Sequence, residues 1–136
     1  MRRYLRHSTD MPLTYRIADQ APEISLEHLA DISAGGLCFS SNQFIDPGHV
    51  MSVNIDPPPF SAKGVVVWCR PDERRFKIGV AFANPEDPFS VRMVDQICRI
   101  EEYRQQVMDE EDRHLNSEQA AFEWIEKFAG DYPAQS

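Results

Sequence analysis

The chain has 136 residues, a net charge of −8 and an apolar content of 42%, which suits one domain with a real hydrophobic core. No apolar run approaches the roughly 18 residues of a membrane span, and the basic N-terminus lacks the apolar stretch of a secretory signal. We therefore expect no membrane insertion. So acidic a chain is also a poor candidate for binding a nucleic acid polymer, because that affinity comes mostly from neutralising phosphates.

The two ends of the chain differ in net charge. Residues 1–17 carry four arginines against one aspartate, a net charge of +3, whereas residues 101–136 carry ten acids against three bases, a net charge of −7. The basic end is sufficient to bind a small anion, and the acidic end favours a basic partner.

The three cysteines are widely spaced and form no CxxC pair, which predicts free thiols and a cytoplasmic location.

In chain order, residues 1–11 form an arginine-rich segment that we expect to be flexible, because chain termini are usually mobile. Residues 12–86 show short alternating apolar segments separated by turn residues, which predicts an antiparallel sandwich or small barrel. Six strands are predicted, at residues 12–17, 24–29, 36–40, 50–55, 63–70 and 76–82.

The rest of the chain is predicted to be helical. Apolar residues at helical spacing predict a helix over residues 87–109, followed by an acidic link at residues 109–112. An additional helical tail is predicted over residues 114–131, with Ser117 as its N-cap. The apolar stripe of this tail has two explanations: the helix folds back on the domain, or it is a docking surface for a partner or a second copy.

The first chemical motif lies at the extreme N-terminus. Arg2 and Arg6 form an RxxxR pattern, and Arg3 lies inside it. Guanidinium groups stay charged, bond bidentately to phosphate and suit the acceptor edge of a guanine. A solvated basic tail would show the same spacing, so this motif alone does not identify a site.

The second motif stands where the second predicted strand ends. Asp31, Ser33 and Gly36 form a DxSxxG pattern, and Gly35 precedes its last glycine. The carboxylate could accept hydrogen bonds from a guanine, the hydroxyl could donate to an oxygen, and glycine permits close approach of a ligand. Turn-forming residues of these types are also common at strand ends, so a structural explanation stays open for this motif alone.

Together and in this order, the motifs resemble the PilZ domain family, bacterial receptors for cyclic di-GMP, with a match covering residues 2–100. The segments at residues 65–68 and 78–82 resemble the late hairpin of that family. The resemblance implies a mainly β fold, a six-stranded antiparallel β-barrel with C-terminal helices. It also implies that the ligand is cyclic di-GMP, which such receptors often bind as a stacked, intercalated pair. A separate protein effector is implied as well.

The resemblance further implies a set of ligand contacts: Arg2, Arg3, Arg6, Asp31, Ser33, Gly35, Gly36 and Trp68. The arginines would contact phosphates and guanine edges, while Asp31 and Ser33 would contact a guanine. Gly36 would keep the sheet surface open to the ligand. Trp68 could flank a base, and packing in the core fits it equally well.

Two classes of function stay open. One is a cyclic di-GMP receptor whose arginine segment closes over the DxSxxG face, so that the changed surface signals to an effector. The other is a ligand-independent adaptor, as in PilZ proteins that act in pilus assembly without the nucleotide; the intact motifs favour the first. We expect no enzyme activity, because no catalytic constellation is present, and no metal, because the four histidines lack ligand spacing.

Overall fold

The computed structural model describes residues 7–18, 25–56 and 60–128. Within them the strands are β1 (His7–Ser8), β2 (Pro12–Ile17), β3 (Ser25–Ser33), β4 (Gly36–Ser41), β5 (Val50–Ile55), β6 (Phe60–Asp72) and β7 (Arg75–Phe82). Two helices follow the strands in this part of the chain: α1 (Pro88–Glu111) and α2 (Ser117–Phe128).

Six strands close into an antiparallel barrel in the order β3–β2–β5–β6–β7–β4, because β4 pairs back onto β3. The predicted six-stranded antiparallel barrel with C-terminal helices is therefore confirmed. The short strand β1 was not predicted. It pairs with β3 at Asp31 and Ile32, beyond the part of β3 that pairs with β2.

Strand β2 shows why the barrel strands could be predicted from sequence. Leu13, Tyr15 and Ile17 are buried and alternate with less buried residues, because successive side chains of a strand point to opposite faces. Strand β5 has the same alternation. Both strands have the predicted bounds, residues 12–17 and 50–55.

Helix α1 packs onto the barrel core. Asp87 is its N-cap, and the Asp87 carboxylate accepts a hydrogen bond from the Ser90 N–H at 3.1 Å. The helix buries side chains in the hydrophobic core at Met93, Val94, Ile97, Ile100, Tyr103 and Val107. It continues to Glu111, so residues 109–111 are helical and not part of an acidic link. Asp112 ends it in the left-handed conformation, with a φ of 55°.

Helix α2 begins differently from the prediction. Asn116 and not Ser117 is the N-cap: the Asn116 side chain accepts a hydrogen bond from the Gln119 N–H at 2.7 Å. The Gln119 side chain accepts one from the Asn116 N–H at 2.9 Å, which completes a capping box. Ser117 is fully buried and bonds instead to side chains of other elements.

Helix α2 folds back along α1, as the first of the two explanations predicted. Trp124 is buried, and the ring of Phe128 lies edge-on to that of Tyr103 with centroids 6.0 Å apart. The Tyr103 hydroxyl also donates a hydrogen bond to Glu123 at 2.8 Å. Phe122 remains 59% exposed on the opposite side of α2. The two helices together are called the α1–α2 hairpin below.

Candidate functional site

Four neighbouring strands, β3, β4, β7 and β6, bring the DxSxxG motif and Trp68 onto one surface. The register places Asp31 opposite Cys38, Cys38 opposite Gly79, and Gly79 opposite Trp68. Asp31 points outward, because the next residue, Ile32, is fully buried in the core. Asp31 and Trp68 are three strand spacings apart, about 14 Å along the sheet. We call this outer surface, from Asp31 to Trp68, the barrel face.

A two-residue turn joins β3 to β4 and holds Ser33 opposite Gly36. The Ser33 hydroxyl accepts a hydrogen bond from the Gly35 N–H at 3.2 Å and donates one to the Gly36 carbonyl oxygen at 3.4 Å. Ser33 is buried, so these bonds satisfy a hydroxyl that water does not reach. Ser33 therefore stabilises the turn, and half-buried Asp31 is the more accessible polar group of the motif.

Gly36 has a packing reason to be glycine. A Cβ at this position would lie 2.1 Å from the Val80 carbonyl oxygen of β7, a distance that atoms cannot adopt. The backbones of β4 and β7 can therefore approach each other closely only because Gly36 has no side chain. The last position of the DxSxxG motif thus stabilises the barrel, independently of its expected role toward a ligand.

Trp68 lies half-buried on the barrel face, outside the buried core cluster of the described residues. A Cβ at Gly79 would be 2.2 Å from Cε2 of Trp68, so only glycine leaves room for the indole there. The guanidinium carbon of Arg70 lies 4.2 Å from the centroid of the Trp68 ring, in a cation–π contact. Arg70 was not predicted as a site residue, although W-x-R spacing puts both side chains on one side of a strand.

Two cations of the neighbouring strand β7 are paired with carboxylates. The Lys77 ammonium is 3.8 Å from a carboxylate oxygen of Asp72. The Arg75 guanidinium donates to Glu27 at 2.5 Å and to the Ser40 hydroxyl at 2.8 Å. These pairs connect β3, β4, β6 and β7 at the end of the barrel face that lies toward the β6–β7 turn.

Three predicted contacts lie outside the described residues: Arg2, Arg3 and Arg6. The described chain begins one residue later, where His7 pairs with Ile32 and Ser8 with Asp31. The strand that follows the RxxxR motif therefore runs directly beside the strand that carries the DxSxxG motif. Strand β1 could not be predicted from the sequence, because two residues are too few to show an alternation.

A hydrogen-bonded cluster ties the residues after β1 to both helices. The Asp10 carboxylate accepts from the Ser117 N–H at 2.9 Å, and the Asp10 N–H donates to the Ser117 hydroxyl at 3.0 Å. The hydroxyls of Ser117 and Thr9 both donate to one carboxylate oxygen of Glu101, at 2.6 and 2.7 Å. Arg104 donates to Glu101 and to Ser117. We call these five residues the Ser117 cluster.

The cluster keeps Asp10 ionised. Burial disfavours the charged carboxylate, but hydrogen bonds from Ser117 and the charge of Arg104 outweigh it, so the pKa of Asp10 lies below its ordinary value of 3.8. A cavity of about 860 Å³ borders the cluster and is lined in part by Thr9, Asp10, Glu101 and Arg104. Residues 7–11, the end of the segment predicted to be flexible, are thus held by β3 and by the Ser117 cluster.

None of the three cysteines forms a disulfide bond. Burial and the neighbouring carboxylates, Asp95 first among them, raise the pKa of the Cys98 thiol to about 11. Across residues 7–18, 25–56 and 60–128, no three His, Cys, Asp or Glu side chains are grouped so as to hold a metal ion. Neither helix in that part of the chain is long and apolar enough to cross a membrane.

Comparison with protein families agrees with this geometry. A family model described as PilZ domain matches residues 1–99, which include both motifs, the barrel and the first half of α1. Helix α2 and the second half of α1 lie beyond the match. No curated protein matches the sequence.

Solved structures show the same fold at low sequence identity. The PilZ domain of YcgR from Escherichia coli, described with c-di-GMP, is 16% identical, with a TM-score of 0.65 over 82% of this chain and 98% of that one. The MrkH–c-di-GMP complex of K. pneumonia is 16% identical, with a TM-score of 0.61 over 78% of this chain and 55% of that one. The Bacillus subtilis inhibitor of motility MotI/DgrA is 16% identical, with a TM-score of 0.60 over 74% and 50%. This chain thus spans about half the length of the last two proteins.

Proposed function

The chain belongs to the PilZ domain family, and we propose that it is a receptor for cyclic di-GMP and not an enzyme. In this proposal the N-terminal arginines and the barrel face form one site. The ligand contacts that we propose are Arg2, Arg3, Arg6, Asp31 and Trp68, with Ser33, Gly35 and Gly36 contributing as the turn beside Asp31. Two proteins that share its fold, YcgR and MrkH, are described with c-di-GMP bound.

The observation that carries the proposal is the pairing of β1 with β3. Ser8 is opposite Asp31, and His7 is opposite Ile32. A single peptide bond joins Arg6 to His7. The RxxxR motif therefore leads directly into the strand that runs beside the DxSxxG motif, although the two motifs are far apart in sequence.

The chemistry of the two motifs complements the two parts of the ligand. Cyclic di-GMP carries two phosphates, which arginine binds bidentately, and two guanines, whose acceptor edge also suits a guanidinium. The Asp31 carboxylate accepts hydrogen bonds from the N1–H and the amine of a guanine. Gly36 has no side chain, so we expect it to let the flat base approach the sheet closely.

The mechanism we propose is closure of the arginine segment over the barrel face. Ligand draws residues 1–6 against the sheet, and the changed surface is what a separate protein effector recognises. Because ordering this segment costs conformational entropy, the affinity is expected to be about micromolar. Binding as an intercalated pair would give two ligands per chain. The effector and the cytoplasmic location stay predictions.

Calorimetric titration with cyclic di-GMP tests the proposal. We expect the natural chain to bind and the changes Arg2→Ala, Arg6→Ala and Asp31→Ala each to weaken binding. A charge-assisted hydrogen bond contributes about 1.5–3 kcal/mol, so each change should raise Kd roughly 10–150-fold. Asp46→Ala is the matched control, since it removes an exposed carboxylate from the β4–β5 loop.

Two results would count against the proposal in different ways. If the natural chain binds and all three variants bind equally well, the ligand is held somewhere other than the assigned site. If the natural chain does not bind at all, the receptor function is wrong, and the ligand-independent adaptor becomes the better account.

A further inference from the structure

Arg70 is an exposed arginine whose position is fixed by an aromatic ring. It lies on β6, two residues after Trp68, and its guanidinium carbon is 4.2 Å from the centroid of the Trp68 ring. The indole is itself held against the backbone of Gly79. Arg70 is therefore pre-organised on the barrel face, unlike an arginine that moves freely in solvent.

Arg70 is exposed, so N–H donors that its contact with Trp68 does not use can reach a ligand. A guanidinium stacks on a ring through its face, whereas its five N–H donors point outward in its own plane. Its neighbours Lys77 and Arg75 are paired with carboxylates. Among the described residues no carboxylate lies within ion-pair distance of Arg70, so its donors have no anionic partner there.

The position of Arg70 complements the DxSxxG motif. Trp68 is three strand spacings from Asp31, about 14 Å along the sheet. A ligand with two guanines and two phosphates presents a second set of paired acceptors away from the guanine that Asp31 binds. Two phosphate oxygens, or O6 and N7 of a guanine, match the fork of a guanidinium.

We propose that Arg70 is a ligand-contacting residue, which binds paired acceptors of the half of cyclic di-GMP that lies away from Asp31. Trp68 acts here as the platform that holds Arg70 in place. This inference rests on the proposed receptor function, since it places a further contact in the same site. It adds a residue that belongs to neither the RxxxR motif nor the DxSxxG motif.

Titration of Arg70→Ala with cyclic di-GMP is the first test, next to the natural chain. Loss of a charge-assisted contact should raise Kd at least tenfold. Arg70→Lys keeps the charge but loses the planar fork, so its Kd should lie between the two. Arg74→Ala is the matched control: it removes an exposed arginine from the turn that joins β6 to β7, and its Kd should stay within about twofold.

The outcomes separate this inference from the receptor function itself. If the natural chain binds and Arg70→Ala binds with the same Kd, Arg70 is not a contact, although the receptor function stands. If Arg70→Ala and Arg74→Ala weaken binding equally, general charge attraction explains both, and the specific contact is wrong. If the natural chain does not bind cyclic di-GMP, the proposed receptor function is wrong, and the proposed role of Arg70 is wrong with it.

Fluorescence of Trp68 gives a second readout, which a loss of general charge would not reproduce. Trp68 and Trp124 are the two tryptophans, so Trp124→Phe leaves Trp68 as the single emitter. A ligand that engages Arg70 should change Trp68 emission, and adding Arg70→Ala should remove most of that change even at ligand concentrations that saturate the variant. An identical change in both proteins would contradict the contact. Circular dichroism confirms that each variant is folded.

Discussion

The barrel face and the α1–α2 hairpin are stabilised by different kinds of contact. On the barrel face, backbones approach closely: Gly36 fits against β7, and Gly79 makes room for the ring of Trp68. The hairpin is joined to the barrel by buried apolar side chains of α1 and also by hydrogen bonds between residues far apart in sequence, such as Asp10 and Ser117. The first region carries the proposed site, and the second holds the segment that leads to it.

The family match covers the first of these two regions and little of the second. The PilZ domain match covers residues 1–99, which include the barrel face. Most of the Ser117 cluster lies beyond it, at Glu101, Arg104 and Ser117. We therefore expect changes in the barrel face to affect ligand binding and changes in the hairpin to affect stability. The predictions below test that division.

Trp124→Ala should have the largest effect. Trp124 is 6% exposed, and removing a large buried aromatic side chain costs about 3–5 kcal/mol. Phe122→Ala is the matched control on the same helix, because Phe122 is 59% exposed and should change stability by less than about 0.5 kcal/mol. Thermal unfolding measures both. Equal destabilisation by the two changes would mean that α2 does not pack on α1 as described.

Gly36→Ala tests the barrel face for its effect on stability and for its effect on ligand binding. Its new Cβ would lie 2.1 Å from the Val80 carbonyl oxygen, so β4 and β7 must move apart. Overpacking of this kind costs about 1–3 kcal/mol, and we expect a lower Tm together with weaker binding of cyclic di-GMP. An unchanged Tm with lost binding would instead show that Gly36 serves only the ligand.

Ser117→Ala tests the hairpin through a single hydroxyl. The change removes hydrogen bonds to Asp10, Glu101 and Arg104 at a fully buried position, which should cost about 1–3 kcal/mol. Ser61→Ala removes an exposed hydroxyl and is the control. Urea unfolding compares the two variants. If both unfold at the same urea concentration, the Ser117 cluster contributes nothing to stability.

The smallest expected effect is on the stability of the folded protein at acid pH. The pKa of Asp10 is lower in the folded protein than its ordinary value of 3.8, so the folded state binds this proton less readily than the unfolded state. The resulting stability is fully present above 3.8 and is lost as the pH falls through the folded pKa. Asp10→Asn should therefore reduce the loss of stability in acid. An unchanged pH dependence would contradict this role.

Local patterns explain why much of the fold could be predicted. Strands β2 and β5 alternate regularly, and their predicted bounds were confirmed. The turn after Ser33 was visible in its Gly-Gly pair. The predicted N-cap of α2 was wrong because Asn116 and Ser117 are both good N-cap residues. Which of them caps the helix is decided by the contact of Ser117 with Asp10, 107 positions away. No local pattern could have shown that contact.

The candidate site was predictable only in part, for similar reasons. Asp31, Ser33 and Gly36 stand in one motif, but the packing reason for Gly36 comes from β7, which lies much later in the chain. Arg70 was missed because its partner is an aromatic ring and not a motif residue. The sequence does show that Trp68 and Arg70 share one face of a strand, and this spacing could have identified the pair.

Amide chemical-shift mapping during a titration with cyclic di-GMP tests the central claim most directly, because it reports on every region at once. If the barrel face binds the ligand, the largest shifts should fall at residues 31–36, 68–70 and 79, with small shifts in the core of α2. Shifts confined to the α1–α2 hairpin, or no shifts at ligand concentrations well above micromolar, would contradict the account.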